Sequence, residues 1–389
     1  MGFMKLQDRN GFIMPNKHSI SSASSLKASR RDISEASGNE IDEIVQKVSE
    51  LWTAPSGDLR TLLLKEMVSS VLKLHHSDID ALDIKILHRA LKELRYAFRI
   101  FGEYRDVRKV SIFGSARTQS DDPNYHLAFH LGQLLRDKEY MVITGGGPGI
   151  MQAGNEGAGR DHSFGVNIML PFEQAPNALI ADDKKSINLK YFFTRKLLLV
   201  KETHAVAVFP GGFGTFDEAF EVLTLIQTGK THPMPVVLVE AEGGDYWSGM
   251  LDFLRTRFVA RGLISPADLA LFTIVHSAEA AVEEIHGFFR NYHSLRIVGD
   301  QMVFRLHHQL LETELRQLNQ EFSDLLKRGV FEQGDALAEE WDEPEISHLP
   351  RLVFRYNWKQ LGRLRQCINW LNARDLPAMP TADPGGVPS

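Results

Sequence analysis

The chain has 389 residues, 43% of them hydrophobic, and carries a formal net charge of −6 at pH 7. A chain of this length can bury a large core and has room for more than one domain. Its acidic balance argues against a nucleic-acid groove or a membrane-binding surface, because both need a basic face that attracts phosphates. We therefore expect neither nucleic acid nor membrane among its partners, and any phosphate that it binds should be small.

The compartment is predicted from what the sequence lacks. No run of about 18 apolar residues could span a membrane, and the N-terminus has no apolar core of the kind that a secretory signal needs. Cys367 is the single cysteine, which excludes an intramolecular disulfide and a cysteine-based metal site and indicates an inert core thiol. These features predict a cytoplasmic protein.

The N-terminal part divides into two segments of different composition. Residues 1–38 are predicted to form a mobile arm, because residues 18–38 are Ser-rich, mixed in charge and poor in large apolar residues. A transit peptide is the weaker alternative. Residues 39–105 carry amphipathic stretches with helical spacing, and Asn39 is placed to cap the first of them. We predict an all-helical segment over this second range.

The centre of the chain, residues 106–293, alternates short apolar runs with amphipathic stretches. The runs are 110–113, 140–144, 164–170, 205–209, 236–240 and 272–275. This alternation is typical of an α/β fold, here a Rossmann-like doubly wound parallel sheet with helices on both faces. Glycines follow three of the runs, at the carboxyl ends of strands, where an open α/β sheet places its ligands. The ligand site should lie where those turns converge.

Beyond the central region we predict a small α+β appendage and a tail. Residues 294–373 should contain, in order, a hairpin, a helix, a strand and a second helix. Their expected bounds are 294–304, 309–326, 351–356 and 361–371. Residues 374–389 are rich in proline and glycine and are predicted to be disordered.

The first glycine-rich turn, TGGGPGIM at 144–151, follows an apolar strand and leads into a helix. Backbone N–H groups at such a helix N-terminus carry partial positive charge and suit an anionic ligand. The dinucleotide fingerprint needs a third glycine where Ile150 stands, so a nicotinamide cofactor is disfavoured and we predict no cofactor. A tight turn without a ligand stays open as an alternative. The candidate ligand residues of this turn are Gly145, Gly146, Gly147 and Gly149.

The second turn, PGGFGTFDE at 210–218, is the most specific signal in the sequence. Its glycines free the backbone to wrap an anion, and Thr215 is placed to cap the helix that follows. Glu218 has two interpretations that spacing alone does not separate. It either completes a capping box with Thr215 or serves as a catalytic carboxylate. The glycines of this turn are Gly211, Gly212 and Gly214.

Two other features are interpreted as ordinary structure. TGKT at 228–231 imitates the end of a P-loop, but Thr224 stands where the leading glycine should be. The pairs His75–His76 and His307–His308 point in different directions on a helix or a strand, which favours surface or hydrogen-bonded histidines over metal ligands. We predict no metal site.

Together these motifs resemble the Lonely guy (LOG) family of cytokinin-activating phosphoribohydrolases, also labelled lysine decarboxylase-like. The resemblance spans roughly Val110 to Phe289. Its motifs are FGSAR at 113–117, TGGGPGIM at 144–151, the pair Arg195–Lys196 and PGGFGTFDE at 210–218. The larger nucleotide 5′-monophosphate nucleosidases of bacteria share this core and add domains at both ends, as the present length also suggests. No lysine context for pyridoxal phosphate is found, so the decarboxylase label is set aside.

The resemblance implies a nucleosidase that cleaves the N-glycosidic bond of a nucleoside 5′-monophosphate, which gives a free base and ribose 5-phosphate. The family's catalytic arginine and glutamate fall on Arg195 and Glu218. The 211–215 backbone, with the Thr215 hydroxyl, should hold the 5′-phosphate, while Ser115 and the 145–149 turn line the opposite wall. Nucleosides without the phosphate should react poorly, because binding energy from that remote group fixes the ribose for attack.

The base pocket is expected where GVNIMLPFEQAPN at 165–177 departs from short family members. Met169, Phe172 and Glu173 are the candidate base contacts. The departure opens the site to AMP-like and other purine or pyrimidine monophosphates besides cytokinin nucleotides.

Two alternatives concern what the whole chain does. A nucleotide-binding sensor that uses the same site without turnover is the second hypothesis, although the pair of Arg195 and Glu218 favours the enzyme. The family also implies a homo-oligomer built from dimers. The appendage either tunes activity through an effector or the oligomer interface, or it only buries surface and stabilises the oligomer.

Overall fold

The computed structural model describes residues 40–50, 59–169, 177 and 179–374. The predicted N-terminal arm, Asn39 and residues 375–389 of the predicted tail lie outside the described residues. The described part falls into two compact units, one ending at His88 and the other beginning at Arg89. Among the residues described, no helix is both long and apolar enough to cross a membrane.

The first unit is helical, as the spacing of its apolar residues predicts. Helix α1 includes residues 40–50, and α2 spans Leu59–His76. Helix α3, Ala81–Gly102, begins in this unit and continues into the second. In the second unit, α3 buries Glu93, Ala97, Ile100 and Phe101, which recur at the three- and four-residue spacing of one helix face.

The second unit contains a seven-stranded sheet in which all paired neighbours run parallel. Its strands are β1 Lys109–Phe113, β2 Met141–Thr144, β3 Ser163–Ile168, β4 Ser186–Leu189, β5 Ala205–Val208, β6 Val236–Val239 and β7 Phe272–Val275. The order across the sheet is β4-β3-β2-β1-β5-β6-β7. The winding direction therefore reverses between β1 and β5, and such a reversal opens a crevice at the carboxyl ends of those strands.

Helices cover both faces of this sheet, which confirms the predicted α/β class. They are α4 Pro123–Asp137, α5 Ile150–Ala158, α6 Phe192–Lys201, α7 Phe213–Gln227, α8 Tyr246–Phe253 and α9 Ala278–Gly287. Alternate strand residues enter different cores: Ile143 packs with residues of α3, α6, α7 and α8, and Val142 with residues of α4, α5 and α9. Burial on both faces explains why the strands are continuous apolar runs. Strand β4 was not predicted.

A four-stranded antiparallel sheet follows, with the order β10-β11-β9-β8. Its strands are β8 Tyr292–Val298, β9 Gln301–Leu306, β10 Leu326–Gly334 and β11 Arg351–Tyr356, and its helices are α10 Glu312–Glu321 and α11 Leu361–Asn372. The helix predicted over 309–326 is wrong at its carboxyl end, because α10 stops at Glu321 and Leu326 starts β10. Phe322 and Leu325 turn into the core there.

Helix α11 connects this sheet to the seven-stranded one. Arg365, only 2% exposed, donates to the Met234 carbonyl (3.3 Å) and to the Glu284 carboxylate (2.5 Å). Its guanidinium group also lies 4.6 Å from the centre of the Phe288 ring. Cys367, on the same helix, is completely buried, and burial raises the pKa of its thiol. That environment agrees with the inert core thiol expected from the sequence.

Candidate functional site

A cavity of about 800 Å³ opens at the carboxyl ends of β1 and β5. It is lined by residues 113–117 after β1, residues 211–218 at the start of α7, Phe192 and Arg195 of α6, and Met151 of α5. The cavity occupies the crevice where the strand order reverses, which is where open α/β sheets bind ligands.

The amino end of α7 forms one wall of this cavity. The helix begins at Phe213, and its N-cap, Gly212, provides no side-chain hydrogen bond. The expectation that Thr215 caps α7 is wrong, because the Thr215 N–H already donates to the Gly212 carbonyl (3.0 Å) within the first turn. Gly211 leaves room for that turn, since a Cβ there would lie 2.1 Å from the Thr215 hydroxyl. The uncapped helix start suits an anion.

Ser115 joins the two glycine-rich turns. Its N–H donates to the Pro210 carbonyl, and its own carbonyl accepts from the Ile150 N–H, both at 3.1 Å. Gly149 has a φ of +67°, and a Cβ at this position would lie 2.3 Å from the Ser115 carbonyl oxygen. The turns therefore converge as the sequence predicts, and a side chain at Gly149 would push them apart.

Glu218 places a carboxylate on the cavity wall with only 5% of the residue exposed. The capping-box interpretation is excluded, because α7 has no side-chain cap hydrogen bond. Within the described residues, the Glu218 Oε2 atom is buried and has no hydrogen-bond partner. An unsatisfied buried polar atom costs about 1–3 kcal/mol, and more when it is charged. Such an atom in a native protein needs an explanation, and use by a ligand or in a reaction is one that fits its position on a cavity wall.

Two cations of α6 face this carboxylate. Arg195 Nη1 lies 3.7 Å from Glu218 Oε1, and Lys196 Nζ lies 3.8 Å from Glu218 Oε2. Both distances exceed hydrogen-bond length, so these atom pairs interact through charge. Arg195 is held in place by a bond from its Nε to the carbonyl of Val166 in β3 (3.0 Å).

Burial and charge act in opposite directions on the Glu218 carboxyl. Burial raises its pKa, the positive charges of Arg195 and Lys196 lower it, and the negative charges of Glu221 and Asp217 raise it. The net result is a pKa above the ordinary value for glutamate. A carboxyl group with a raised pKa, on a cavity wall and beside specific cations, is typical of acid–base sites.

Comparison with known proteins identifies the central region. Residues 136–285 match the family model described as "Possible lysine decarboxylase". This region is similar to the lysine decarboxylase-like (LOG) family. The matched range includes both Arg195 and Glu218.

The curated LOG relatives are similar to at most half of this chain. A bifunctional cytokinin biosynthesis protein of Fusarium pseudograminearum is 27% identical over 195 residues, which cover 45% of this chain and 39% of that protein. Cytokinin riboside 5′-monophosphate phosphoribohydrolase LOG3 of Arabidopsis thaliana is 27% identical over 187 residues, which cover 46% of this chain and 83% of LOG3. Among solved structures, the molybdenum cofactor binding protein of Rippkaea orientalis has a TM-score of 0.33 and 22% identity, over 46% of this chain and 96% of that one. That structural similarity carries no functional information.

The predicted LOG-site residues separate into two groups in the structure. Ser115, Arg195, Gly211, Gly212, Gly214, Thr215 and Glu218 all line the cavity. Residues 145–149 are not among the lining residues, and Gly145 instead lies behind Arg195. Met169 follows β3, is 46% exposed and does not line the cavity either. Phe172 and Glu173 lie outside the described residues.

Glu93, a residue not predicted from the sequence, supports the site from α3. The buried carboxylate of Glu93 accepts bonds from the Lys190 N–H (2.8 Å) and the Thr194 hydroxyl (2.9 Å). It thereby fixes the start of α6, directly before Arg195. A signal was available, because Glu93 stands four residues before Ala97 on the buried stripe of α3, where a charge needs a partner.

The cavity also contains aromatic side chains that were not predicted to take part. Phe192 is 50% exposed and Phe213 is 97% exposed. Phe213 stands between Gly212 and Gly214 in the second turn. A bulky ring between two residues without side chains was the signal in the sequence that this residue could take part in the site. In the described ranges, no group of three or more His, Cys, Asp or Glu side chains could hold a metal ion.

Proposed function

We propose that this protein hydrolyses the N-glycosidic bond of a nucleoside 5′-monophosphate and releases a free base and ribose 5-phosphate. Glu218 is the observation that supports this reaction, because its buried, unbonded carboxylate oxygen lies on the wall of the cavity at the start of α7. The LOG3 relative is named for the same kind of reaction on cytokinin riboside 5′-monophosphates.

The start of α7 is the proposed phosphate site. Backbone N–H groups at an uncapped helix N-terminus donate to phosphate oxygens, and the helix dipole adds favourable charge. Ser115 and Thr215, which both carry a hydroxyl group, line the same cavity. Energy gained on the phosphate would fix the ribose beside Glu218, so nucleosides without a phosphate should be poor substrates.

The proposed chemistry uses the charge of Glu218. As the bond between ribose C1′ and the base nitrogen breaks, positive charge develops on the ribose ring, and a nearby carboxylate stabilises it. Water then adds to C1′, and the proton that it loses balances the one gained by the departing base. Glu218 would orient and deprotonate that water, while the guanidinium group of Arg195 would contact the ribose or the phosphate.

The base is proposed to lie towards the end of β3. Met169, half-exposed after β3, would contact it together with Phe172 and Glu173. We propose AMP-like or other common purine and pyrimidine monophosphates as substrates, alongside the cytokinin nucleotides named for the relatives.

Release of ribose 5-phosphate from a panel of monophosphates tests the proposal. The panel should include AMP, GMP, CMP, UMP and a cytokinin riboside monophosphate, with adenosine as the substrate without phosphate. Thr215→Val keeps the side-chain volume but removes the hydroxyl, so it should raise KM for the preferred monophosphate about tenfold, as expected for one lost bond to a charged group. Binding of the nucleotides without any release would instead support the sensor hypothesis.

A further inference from the structure

Lys196 is surrounded by three carboxylates of α7. Its Nζ atom lies 2.6 Å from Glu221 Oε2, 2.9 Å from Asp217 Oδ2 and 3.8 Å from Glu218 Oε2. The first two contacts are ion pairs of hydrogen-bond length, whereas the third is not. The Lys196 and Glu218 side chains are only 17% and 7% exposed, so solvent screens the interaction between these two charges weakly, whereas Asp217 is 60% exposed.

The two cations of α6 lie beside different oxygen atoms of the Glu218 carboxylate. Arg195 faces Oε1 and Lys196 faces Oε2. The Oε2 atom is the one that is buried and unbonded in the part of the chain that the structure describes. Lys196 thus compensates the charge on Oε2 without occupying its lone pairs, which stay available to a bound molecule.

The ion pairs with Asp217 and Glu221 hold the ammonium group in this position. The Asp217 carbonyl oxygen, 3.3 Å from Nζ, adds a third anchor. An ion pair with Glu221 alone would not require the second ion pair with Asp217 or the position of Nζ beside the buried Oε2 atom of Glu218.

We propose that Lys196 is a positioning residue, which keeps the Glu218 carboxylate charged and its Oε2 atom unoccupied so that this oxygen can act on the substrate. The role rests on the function proposed above, since it assigns Lys196 to the same reaction. Lys196 itself does not touch the reacting atoms.

The charges around both groups agree with this role. Burial raises the pKa of Glu218, Arg195 and Lys196 lower it, and Glu221 and Asp217 raise it again. Burial lowers the pKa of Lys196, but its bonds to Glu221 and Asp217 outweigh that effect and the net pKa is raised. The lysine therefore stays positive throughout the pH range in which Glu218 titrates.

The titration of Glu218 provides a test that does not depend on turnover. In protein labelled with [5-¹³C]glutamate, the Glu218 signal is the one missing from Glu218→Gln, and its chemical shift is followed against pH. Lys196→Met should raise the pKa of Glu218 by about one pH unit or more, as expected when a cation within about 4 Å is lost. Lys196→Arg keeps the positive charge, so the pKa of Glu218 in this variant should stay close to that in the parent protein.

Glu221→Gln separates this role from a purely structural ion pair. Losing a carboxylate that raises the pKa of Glu218 should lower that pKa, opposite to the effect of Lys196→Met. If Lys196 and Glu221 only stabilised the packing of α6 on α7, the two variants would act alike. Shifts in the same direction, or a Glu218 pKa that does not move in either variant, would overturn the proposal.

Kinetics then show whether the charge matters to the reaction. In Lys196→Met, the acid limb of the kcat–pH profile should shift to higher pH by as much as the pKa of Glu218 rises in the NMR titration. KM should change little. Lys201→Met, which removes an exposed charge from the same helix, is the matched control and should leave both measurements unchanged. If no nucleotide is hydrolysed by the parent protein, the proposed function fails while the titration still decides the role of Lys196.

Discussion

A methyl group on Gly145 would lie 2.2 Å from Nη2 of Arg195, so the missing side chain of Gly145 leaves the space that this guanidinium group fills. The same methyl group would lie 2.7 Å from Sδ of Met151, so the flexible end of that side chain would have to shift together with Arg195. Gly145 thus acts on the site from behind, through Arg195, rather than as part of the cavity wall.

Gly145→Ala should therefore lower turnover without unfolding the protein. The added methyl displaces the flexible ends of two side chains that line the cavity, Arg195 and Met151. A displacement of about 1 Å at a reacting centre can cost about a hundredfold in rate. Turnover should fall tenfold to a hundredfold, roughly, with the melting temperature nearly unchanged. Gly249→Ala is the control, because a Cβ at that helical position meets nothing within 4 Å. A Gly145→Ala enzyme with parental kinetics would show that Arg195 needs no fixed position.

Glu218→Gln keeps the size of the side chain and removes its charge. We expect turnover to fall at least a hundredfold, roughly, with nucleotide binding largely kept, because the lost interaction stabilises charge that develops only during the reaction. Calorimetric binding and single-turnover rates measure the two effects separately. Activity within a few-fold of the parent protein would remove Glu218 from the mechanism.

The second sheet contains a buried ionic cluster whose contribution should depend on pH. Glu340, 3% exposed, accepts bonds of 2.8 Å from Nε of both Arg305 and Arg351. Burial raises the pKa of this carboxyl, but the bonds from Arg351, the Leu337 N–H and Arg305 outweigh it, so the net pKa lies below the ordinary value of 4.5. The stabilisation is therefore complete above that ordinary value and is lost as the pH falls through the lowered one.

Glu340→Gln removes one charge from this cluster and leaves two buried arginines undercompensated. The free energy of unfolding should fall by about 3–5 kcal/mol at neutral pH, and the difference from the parent protein should shrink at acidic pH. Denaturant unfolding at pH 7 and pH 3.5 measures both. The exposed neighbour Glu339 gives the control, Glu339→Gln, which should change little. A Glu340 variant as stable as the parent at neutral pH would contradict the prediction.

Assembly is also open to measurement. Helix α6 exposes Phe192, Phe193 and Leu197 by 50, 52 and 45%, next to the cavity, where large apolar side chains invite contact with another surface. We expect light scattering to find at least a dimer, and Phe193→Ser to weaken it. Val330→Ser, at a similarly exposed apolar residue of β10, should leave the mass unchanged. A fully active monomer would count against the predicted oligomer.

The central sheet could be predicted because its strands are buried on both faces and so form continuous apolar runs. Strands β4 and β10 could not, because both lie at sheet edges. Strand β4 is the short SINL, and β10 is LKRGVFEQG, with most of its residues exposed. Edge strands carry polar and charged residues, which do not stand out from a loop or a helix end in the sequence.

The residues of the candidate site that lie in short motifs could also be predicted, whereas those that depend on contacts between distant parts of the chain could not. The glycine turns and the pair of Arg195 and Glu218 follow from spacing within short motifs. Glu93 supports the site through Thr194, which is 101 residues away, and the role of Lys196 depends on how α6 packs on α7. Contacts of this kind exist only after the chain has folded.

The position of Arg365 affects how any shortened version of this protein should be interpreted. A chain cut at residue 293 would lose α11 and uncover the Glu284 carboxylate and the Phe288 ring that Arg365 now covers. Such a fragment should aggregate or be degraded in the cell, and its inactivity would report a damaged core rather than a lost control element. In the full chain, heating that detaches α11 uncovers the surfaces of both sheets. Both sheets should therefore become susceptible to proteases at the same temperature.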